Sequence, residues 1–134
     1  MAKNTTSGPN NVVTDVSGSY DVSEMDDVIS IAANWAGGVL TLPGPLTGHL
    51  PNSGDEYTIA DPQNVVATSG NHVTINGGGY KFLANGAMVT QVTLTTIVPS
   101  TYSGIAQTAI GFTFDGVQGV WIPSGSCAGA PAPG

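Results

Sequence analysis

Four acidic residues are clustered in the first third of the sequence: Asp21, Glu24, Asp26 and Asp27. Carboxylate oxygens are the ligands that Ca²⁺ takes in proteins, so this cluster could hold that ion. The ligand spacing of an EF-hand loop is absent, however, and a solvated turn explains the same residues. We therefore expect neither a metal site nor a cofactor, and the four acids are the candidates if a metal is bound.

Other residues that could do chemistry do not form a catalytic pattern. Asp55 and Glu56 are adjacent, and neighbours on a strand face opposite ways, which prevents joint acid–base work. His49 and His72 lie apart, without the paired spacing of zinc ligands. Cys127 has no His or Lys near it in sequence to activate a thiol. The sequence predicts no catalytic residue, and we expect the protein not to be an enzyme.

The charge balance excludes several kinds of partner. The chain of 134 residues has a formal net charge of −7, and its only basic residues are Lys3 and Lys81. Nucleic acids and anionic membrane surfaces attract basic patches, so we expect this chain to bind neither. No apolar run reaches the about 18 residues of a membrane span. The N-terminus also lacks the apolar segment of a signal peptide, which predicts synthesis in the cytoplasm.

Composition divides the chain into three parts. Residues 1–11 are polar and are expected to form an extended N-terminal arm. Residues 12–123 carry the strand signals and form one β domain. Residues 124–134 are rich in Gly, Pro and Ala, and this C-terminal tail is predicted to stay outside helices and sheet ladders.

Short stretches of apolar residues separated by turn residues define the secondary structure of the middle part. Residues 12–16 and 19–23 largely alternate apolar and polar side chains, and residues 28–32 are β-branched. Ser23 with Asp26 could instead cap a short helix, but the β-branched run favours a strand. Turn signals lie at Gly37-Gly38 and Asp115-Gly116. About nine strands without a helical period predict an all-β fold, a single antiparallel β-sandwich or jelly-roll/barrel-like domain with extended arms.

The order of these motifs resembles a β module of tailed-bacteriophage virion proteins, over roughly residues 18–123. Such modules occur in head fibres, capsid decoration (cement) proteins and tail-fibre segments. The resemblance rests on the following segments: residues 26–29, residues 37–43, residues 54–61, residues 72–77, residues 92–94 and residues 114–122. Residues 61–64 and an additional segment at residues 99–107 depart from the pattern.

The resemblance implies a structural protein of the virion. A capsid decoration protein of this kind is a homotrimer that binds the major capsid protein on the outer face of the head and stabilises the shell. One alternative is a short head or tail fibre or knob that binds a host receptor or glycan. Another is a free carbohydrate-binding module.

Several side chains are candidates for contact with a partner or with another copy. Residues 87–89 break strict alternation, which makes Met88 and Val89 candidates for an interface strand, although a core strand is equally compatible. Trp121 could serve the core or an interface. Trp35, Tyr80 and Tyr102 could form an aromatic receptor site. The arms at residues 1–11 and 124–134 are expected to grip the partner.

Overall fold

The computed structural model describes residues 12–63, 65–84, 87–94, 109–124 and 132–133. These residues form twelve strands and one short helix, in this order: β1 Val12–Val16, β2 Tyr20–Asp21, β3 Val28–Ile31, β4 Gly38–Thr41, β5 Glu56–Ala60, α1 Val65–Ser69, β6 Val73–Asn76, β7 Lys81–Ala84, β8 Ala87–Val89, β9 Gln91–Leu94, β10 Ala109–Asp115, β11 Val120–Ser124 and β12 Ala132–Pro133. Within this part of the chain no helix has the length and apolar character needed to cross a membrane.

The first six strands wind alternately through two sheets. Strands β1, β3 and β5 lie side by side in parallel in sheet A, and β2, β4 and β6 do the same in sheet B. Each pass of the chain thus adds one strand to each sheet, which is the path of a short β-solenoid. Because parallel strands need a long return connection, the strand in the other sheet serves as part of that connection.

The later strands complete both sheets, mostly by antiparallel pairing. Sheet A has the order β1-β3-β5-β10-β11-β7-β8, and sheet B has the order β12-β9-β6-β4-β2. The pair β11–β7 is again parallel. The predicted all-β class is confirmed, but the expected antiparallel arrangement is wrong for part of the fold, since both sheets are mixed. Alternation along a strand reports its buried face and carries no information about the direction of its neighbour.

One core cluster contains side chains of both sheets. Its centre is aromatic: the ring of Trp121 lies 5.0 Å from that of Phe114 and 5.6 Å from that of Tyr57, between ring centroids. A second edge-to-face pair joins Phe82 and Phe112 at 5.5 Å. The turn at Asp115-Gly116 joins β10 to β11 as predicted and brings Trp121 opposite Phe114.

Two local elements differ from the prediction. Helix α1 was not foreseen; its first two N–H groups, those of Val65 and Val66, each donate 2.9 Å bonds to the buried carboxylate of Asp61. An acid ahead of a short apolar run is the signal that could have identified this helix start. In the C-terminal tail, Ala132 and Pro133 form β12 beside β9, although the composition predicts no ladder there.

Candidate interaction surface

The four acids of the predicted cluster occupy different local environments. Asp26 is buried and accepts bonds from the Tyr20 hydroxyl at 2.7 Å and from the backbone N–H of Ser23 at 2.9 Å. Glu24 pairs with His49 at 2.8 Å. Asp21 is exposed on β2 and Asp27 is half-buried before β3. Across the described ranges, no three His, Cys, Asp or Glu residues are grouped closely enough to hold a metal ion.

A polar network made by Tyr20, Glu24, Asp26, His49 and Tyr57 ties the turn after β2 to the loop before β5. Burial, and then the hydrogen bond and negative charge of Asp26, raise the pKa of the Tyr20 hydroxyl to about 12. The Tyr57 hydroxyl donates to the backbone oxygen of Glu24 at 3.2 Å. Its pKa is raised, above all by burial. Burial, the largest single cause, would raise the pKa of Glu24, but the hydrogen bond and charge of His49 together with a backbone hydrogen bond outweigh it, so the pKa is lowered.

The remaining candidates for acid–base chemistry are also separated. Asp55 is buried and its carboxylate accepts a bond from the backbone N–H of Asn52 at 2.9 Å, whereas the adjacent Glu56 is exposed. This is the opposed placement that the sequence predicts for adjacent acids. His72 is exposed, just before β6. In the described part of the chain, the buried acids therefore hold backbone groups in position.

Two of the aromatic partner candidates lie in the core. Trp35 is buried and its indole N–H donates to the backbone oxygen of Asn71 at 3.2 Å. Trp121 is buried as well, with its N–H bonded to the oxygen of Gly77 at 3.0 Å. Neither side chain can contact a partner while the core is closed, so Trp121 serves the core and Trp35 is not accessible as part of an aromatic receptor site. The indole N–H groups find backbone acceptors inside, so burial leaves them satisfied.

Other candidates are half-buried or lie beyond the described residues. Tyr80 is half-buried and its ring packs against Phe114 at 4.6 Å between centroids. Tyr102, Cys127 and residues 1–11 lie outside the described residues. So does the C-terminal tail apart from residues 124 and 132–133. The expectation that the two arms bind a partner stays a prediction.

The two interface candidates on β8, Met88 and Val89, lie on opposite faces of the strand. Val89 packs against the core and is paired with the buried Phe82, whereas Met88 points outward and is 49% exposed. Met88 lies directly opposite Leu83 on β7, which is 45% exposed. The interface candidate with an accessible side chain is therefore Met88.

A third exposed apolar residue extends this surface onto β11. The register pairs Trp121 with Phe82 in parallel, so the next residues along, Ile122 and Leu83, are neighbours on the outer face. Ile122 is 39% exposed. We call Ile122, Leu83 and Met88 the outer apolar row. Leu83 and Ile122 were missed by the sequence reading, although each follows an aromatic core residue and alternation places it outside.

The strands that carry the outer apolar row are almost free of charge. Strands β7, β8 and β11 contain no Asp or Glu, and their one ionisable residue is Lys81. The molecule as a whole has a formal net charge of −7. Centres of protein interfaces are depleted of charge and tolerate exposed apolar groups, so this surface suits a protein partner.

No protein-family model matches the chain, and no curated protein matches it either, so its function has to be inferred from its own residues and their geometry.

Proposed function

We propose that the protein is a structural component of a bacteriophage-type virion, a capsid decoration protein that binds the outer face of the head. The observation that carries the proposal is the outer apolar row of Ile122, Leu83 and Met88, held on rigid strands in an acidic molecule. The sequence resemblance to virion β modules supplies the class of assembly. The sandwich or jelly-roll description, the homotrimer and the major capsid protein as partner belong to the same proposal.

The hydrogen bonds of the buried polar groups favour a structural role for the domain. Asp26, Asp55 and Asp61 are buried, and each accepts at least one backbone N–H bond. Carboxylates bonded in this way stabilise turns and a helix start. A shell-stabilising protein needs a surface of fixed shape, because ordering a mobile surface on contact would weaken binding.

Imaging of assembled particles with and without the protein tests this proposal. We expect density on the outer shell at symmetric positions between capsid subunits, and lower heat tolerance of particles that lack the protein. Density at the tail tip, with normal heat tolerance but failed adsorption, would contradict it and favour the fibre alternative.

A matched pair of variants links the test to the outer apolar row. Ile122→Lys is expected to reduce shell occupancy, because a charge replaces an apolar contact at an interface centre. Val39→Lys on sheet B is the control, since Val39 is 38% exposed against 39% for Ile122. Equal occupancy for the two variants would assign shell binding to another surface.

The glycan-binding alternatives require accessible aromatic side chains. In the described residues Trp35 is in the core and Tyr80 is half-buried against Phe114. The burial of these rings favours the decoration protein over the receptor-binding fibre and the carbohydrate-binding module. Binding of the isolated protein to a glycan array would reopen both.

A further inference from the structure

The four edge strands of the two sheets differ in how they are protected. An edge strand presents unpaired backbone N–H and C=O groups, and natural proteins block such edges with charges, proline, bulges or very short strands. Among the strands of the described residues, the edges are β1 and β8 in sheet A, and β2 and β12 in sheet B. Comparing them shows where another strand can add.

Three of these edges carry a protective device. Strand β1 has a register shift between Val13 and Val16, and the exposed Asp15 lies within that stretch at a φ of 58°. Strand β2 has two residues, one of which is Asp21. Strand β12 also has two residues, and Pro133 has no N–H to offer. Each device hinders the addition of a further strand.

Strand β8 is also short, at three residues, but it carries no other protective device. Its residues, Ala87, Met88 and Val89, include no charge and no proline, and they pair with β7 in unbroken register. Among the described residues no strand occupies its other side. An uncharged, regular edge beside exposed apolar side chains is the arrangement that favours pairing with another strand.

We propose that β8 is a self-pairing edge, at which two copies of this chain join their A sheets by antiparallel pairing about a two-fold axis at Met88. The strand is its own complement in this arrangement, because Met88 lies opposite Met88 of the other copy and Ala87 lies opposite Val89. Isologous contacts of this kind use the same patch on both copies.

The outer apolar row supports a second copy as the occupant. Adjacent strands are about 4.8 Å apart, so the two Met88 side chains meet on the outer face. The row of Ile122, Leu83 and Met88 then continues into the same row of the other copy, doubling its length without interruption. A single exposed row becomes one continuous apolar surface across the joined sheet.

Charge also favours pairing of like copies at this position. Two acidic molecules repel each other least where neither carries an acid, and β7, β8 and β11 contain none. Lys81 lies on β7, the strand next to β8, and away from the two-fold axis. The Lys81 residues of the two copies therefore lie on opposite sides of that axis. No like charges therefore face each other across the pair.

The molecular mass of the full chain in solution, measured across a concentration series, tests the proposal. The mass of the wild-type protein is expected to rise with concentration from 13.4 kDa toward twice that value. Met88→Lys places two like charges directly opposite each other and is expected to weaken pairing by about tenfold. Val12→Lys, on the protected β1 edge, is the control, because Val12 is 53% exposed against 49% for Met88. It should behave as the wild type.

A charge-swap experiment tests the register. Met88→Lys and Met88→Glu are each expected to pair about tenfold more weakly than the wild type, whereas their equimolar mixture regains the doubled mass at the concentration where the wild type is paired, because opposite charges then face each other. An unfolding midpoint for each variant shows that the fold is kept. Met88 is half exposed, so these changes leave the core intact.

Several outcomes overturn self-pairing. They are a wild type that stays at 13.4 kDa at every concentration, equal dissociation by Val12→Lys and Met88→Lys, and failure of the mixed variants to associate. A mass of three times 13.4 kDa that Met88→Lys does not alter would also overturn it, while leaving the proposed homotrimer standing. A dimer would contradict the proposed homotrimer but not shell binding, which is measured separately, so failure of one proposal can be told apart from failure of the other.

Discussion

The two edges of sheet A expose similar amounts of apolar side chain but differ in backbone and charge. Val12 on β1 is 53% exposed and Met88 on β8 is 49% exposed. Strand β1 is interrupted by a register shift and carries Asp15, whereas β8 is regular and uncharged. Apolar exposure alone therefore does not distinguish the two edges. Regular backbone without charge is the feature that separates the two edges.

The regions behind the two edges are also stabilised differently. Next to β1, the turn after β2 is held by the polar network of Tyr20, Glu24, Asp26, His49 and Tyr57. Next to β8, Phe82 contributes its ring to the aromatic core. The first region depends on ionisable groups and should respond to pH, whereas the second depends on packing.

The largest expected effect concerns the packing behind β8. Phe82→Ala should lower the free energy of unfolding by about 3–5 kcal/mol, because it removes a buried ring and leaves a cavity. Leu83→Ala, one position along and on the outer face, should change it by about 0.5 kcal/mol. Urea unfolding of both variants measures the difference. Similar losses of unfolding free energy for both variants would mean that Phe82 does not hold β7 in the core as described. Strand β8, which pairs with β7, would then not form a stable edge.

The next largest effect concerns the polar network, which should lose stability in alkaline solution. The pKa of Tyr20 is 10.0 ordinarily and about 12 in the fold, so folding favours the protonated hydroxyl. Its contribution is complete below pH 10.0 and is lost as pH rises toward 12. Tyr20→Phe should cost about 1–2 kcal/mol at neutral pH, since Asp26 loses a donor.

Unfolding midpoints of the wild type and of Tyr20→Phe, measured across that alkaline range, check the direction of this pH dependence. The gap between the wild type and Tyr20→Phe should narrow as pH rises, although Tyr57, whose pKa is also raised, keeps part of the pH dependence in both proteins. A gap that stays constant through pH 12 would show that the Tyr20 hydroxyl does not titrate as described.

A smaller effect is expected from the pair between Glu24 and His49 on the acid side. The pKa of Glu24 is lowered from 4.5, so its contribution is present above that value and is lost as pH falls through the lower folded value. Glu24→Gln should cost about 0.2–1 kcal/mol at neutral pH, as exposed ion pairs do. Acid titration of the unfolding midpoint should bring the two proteins together. A persistent difference in acid would assign the effect to packing.

The smallest effect distinguishes the two protective features of β1. Asp15→Asn removes the charge but keeps a residue type that tolerates the left-handed φ of 58°. Stability should change by about 0.5 kcal/mol or less, and the mass in solution should stay that of the wild type, because the register shift remains. A rise in mass on this substitution would identify the charge as the feature that blocks the edge.

Local sequence signals predicted the elements better than their assembly. The strand after Asp27 and the Asp115-Gly116 hairpin follow from β-branched residues and turn residues. The parallel winding of the first six strands does not, since it depends on contacts between strands far apart in sequence. Val28, for example, pairs with Thr58.

The candidate surface was predictable only in part. The irregular apolar run at residues 87–89 made Met88 and Val89 interface candidates together, and it did not separate the exposed Met88 from the inward Val89. Ile122 and Leu83 became neighbours of Met88 only through the pairing of β11 with β7 and of β7 with β8. Surface rows of this kind require the strand order, which no local pattern contains.

The position of β10 and β11 in the strand order has a consequence for synthesis of the protein. Strand β5 pairs with β10, and β7 pairs with β11, so both halves of sheet A are joined through residues 109–124. Tyr57 and Phe82 gain their ring partners Trp121 and Phe112 only when those residues arrive. A chain still being translated therefore lacks these two ring pairs until this hairpin leaves the ribosome. The hairpin itself needs only local contacts and closes quickly, so emergence of these residues sets the moment at which the fold becomes cooperative.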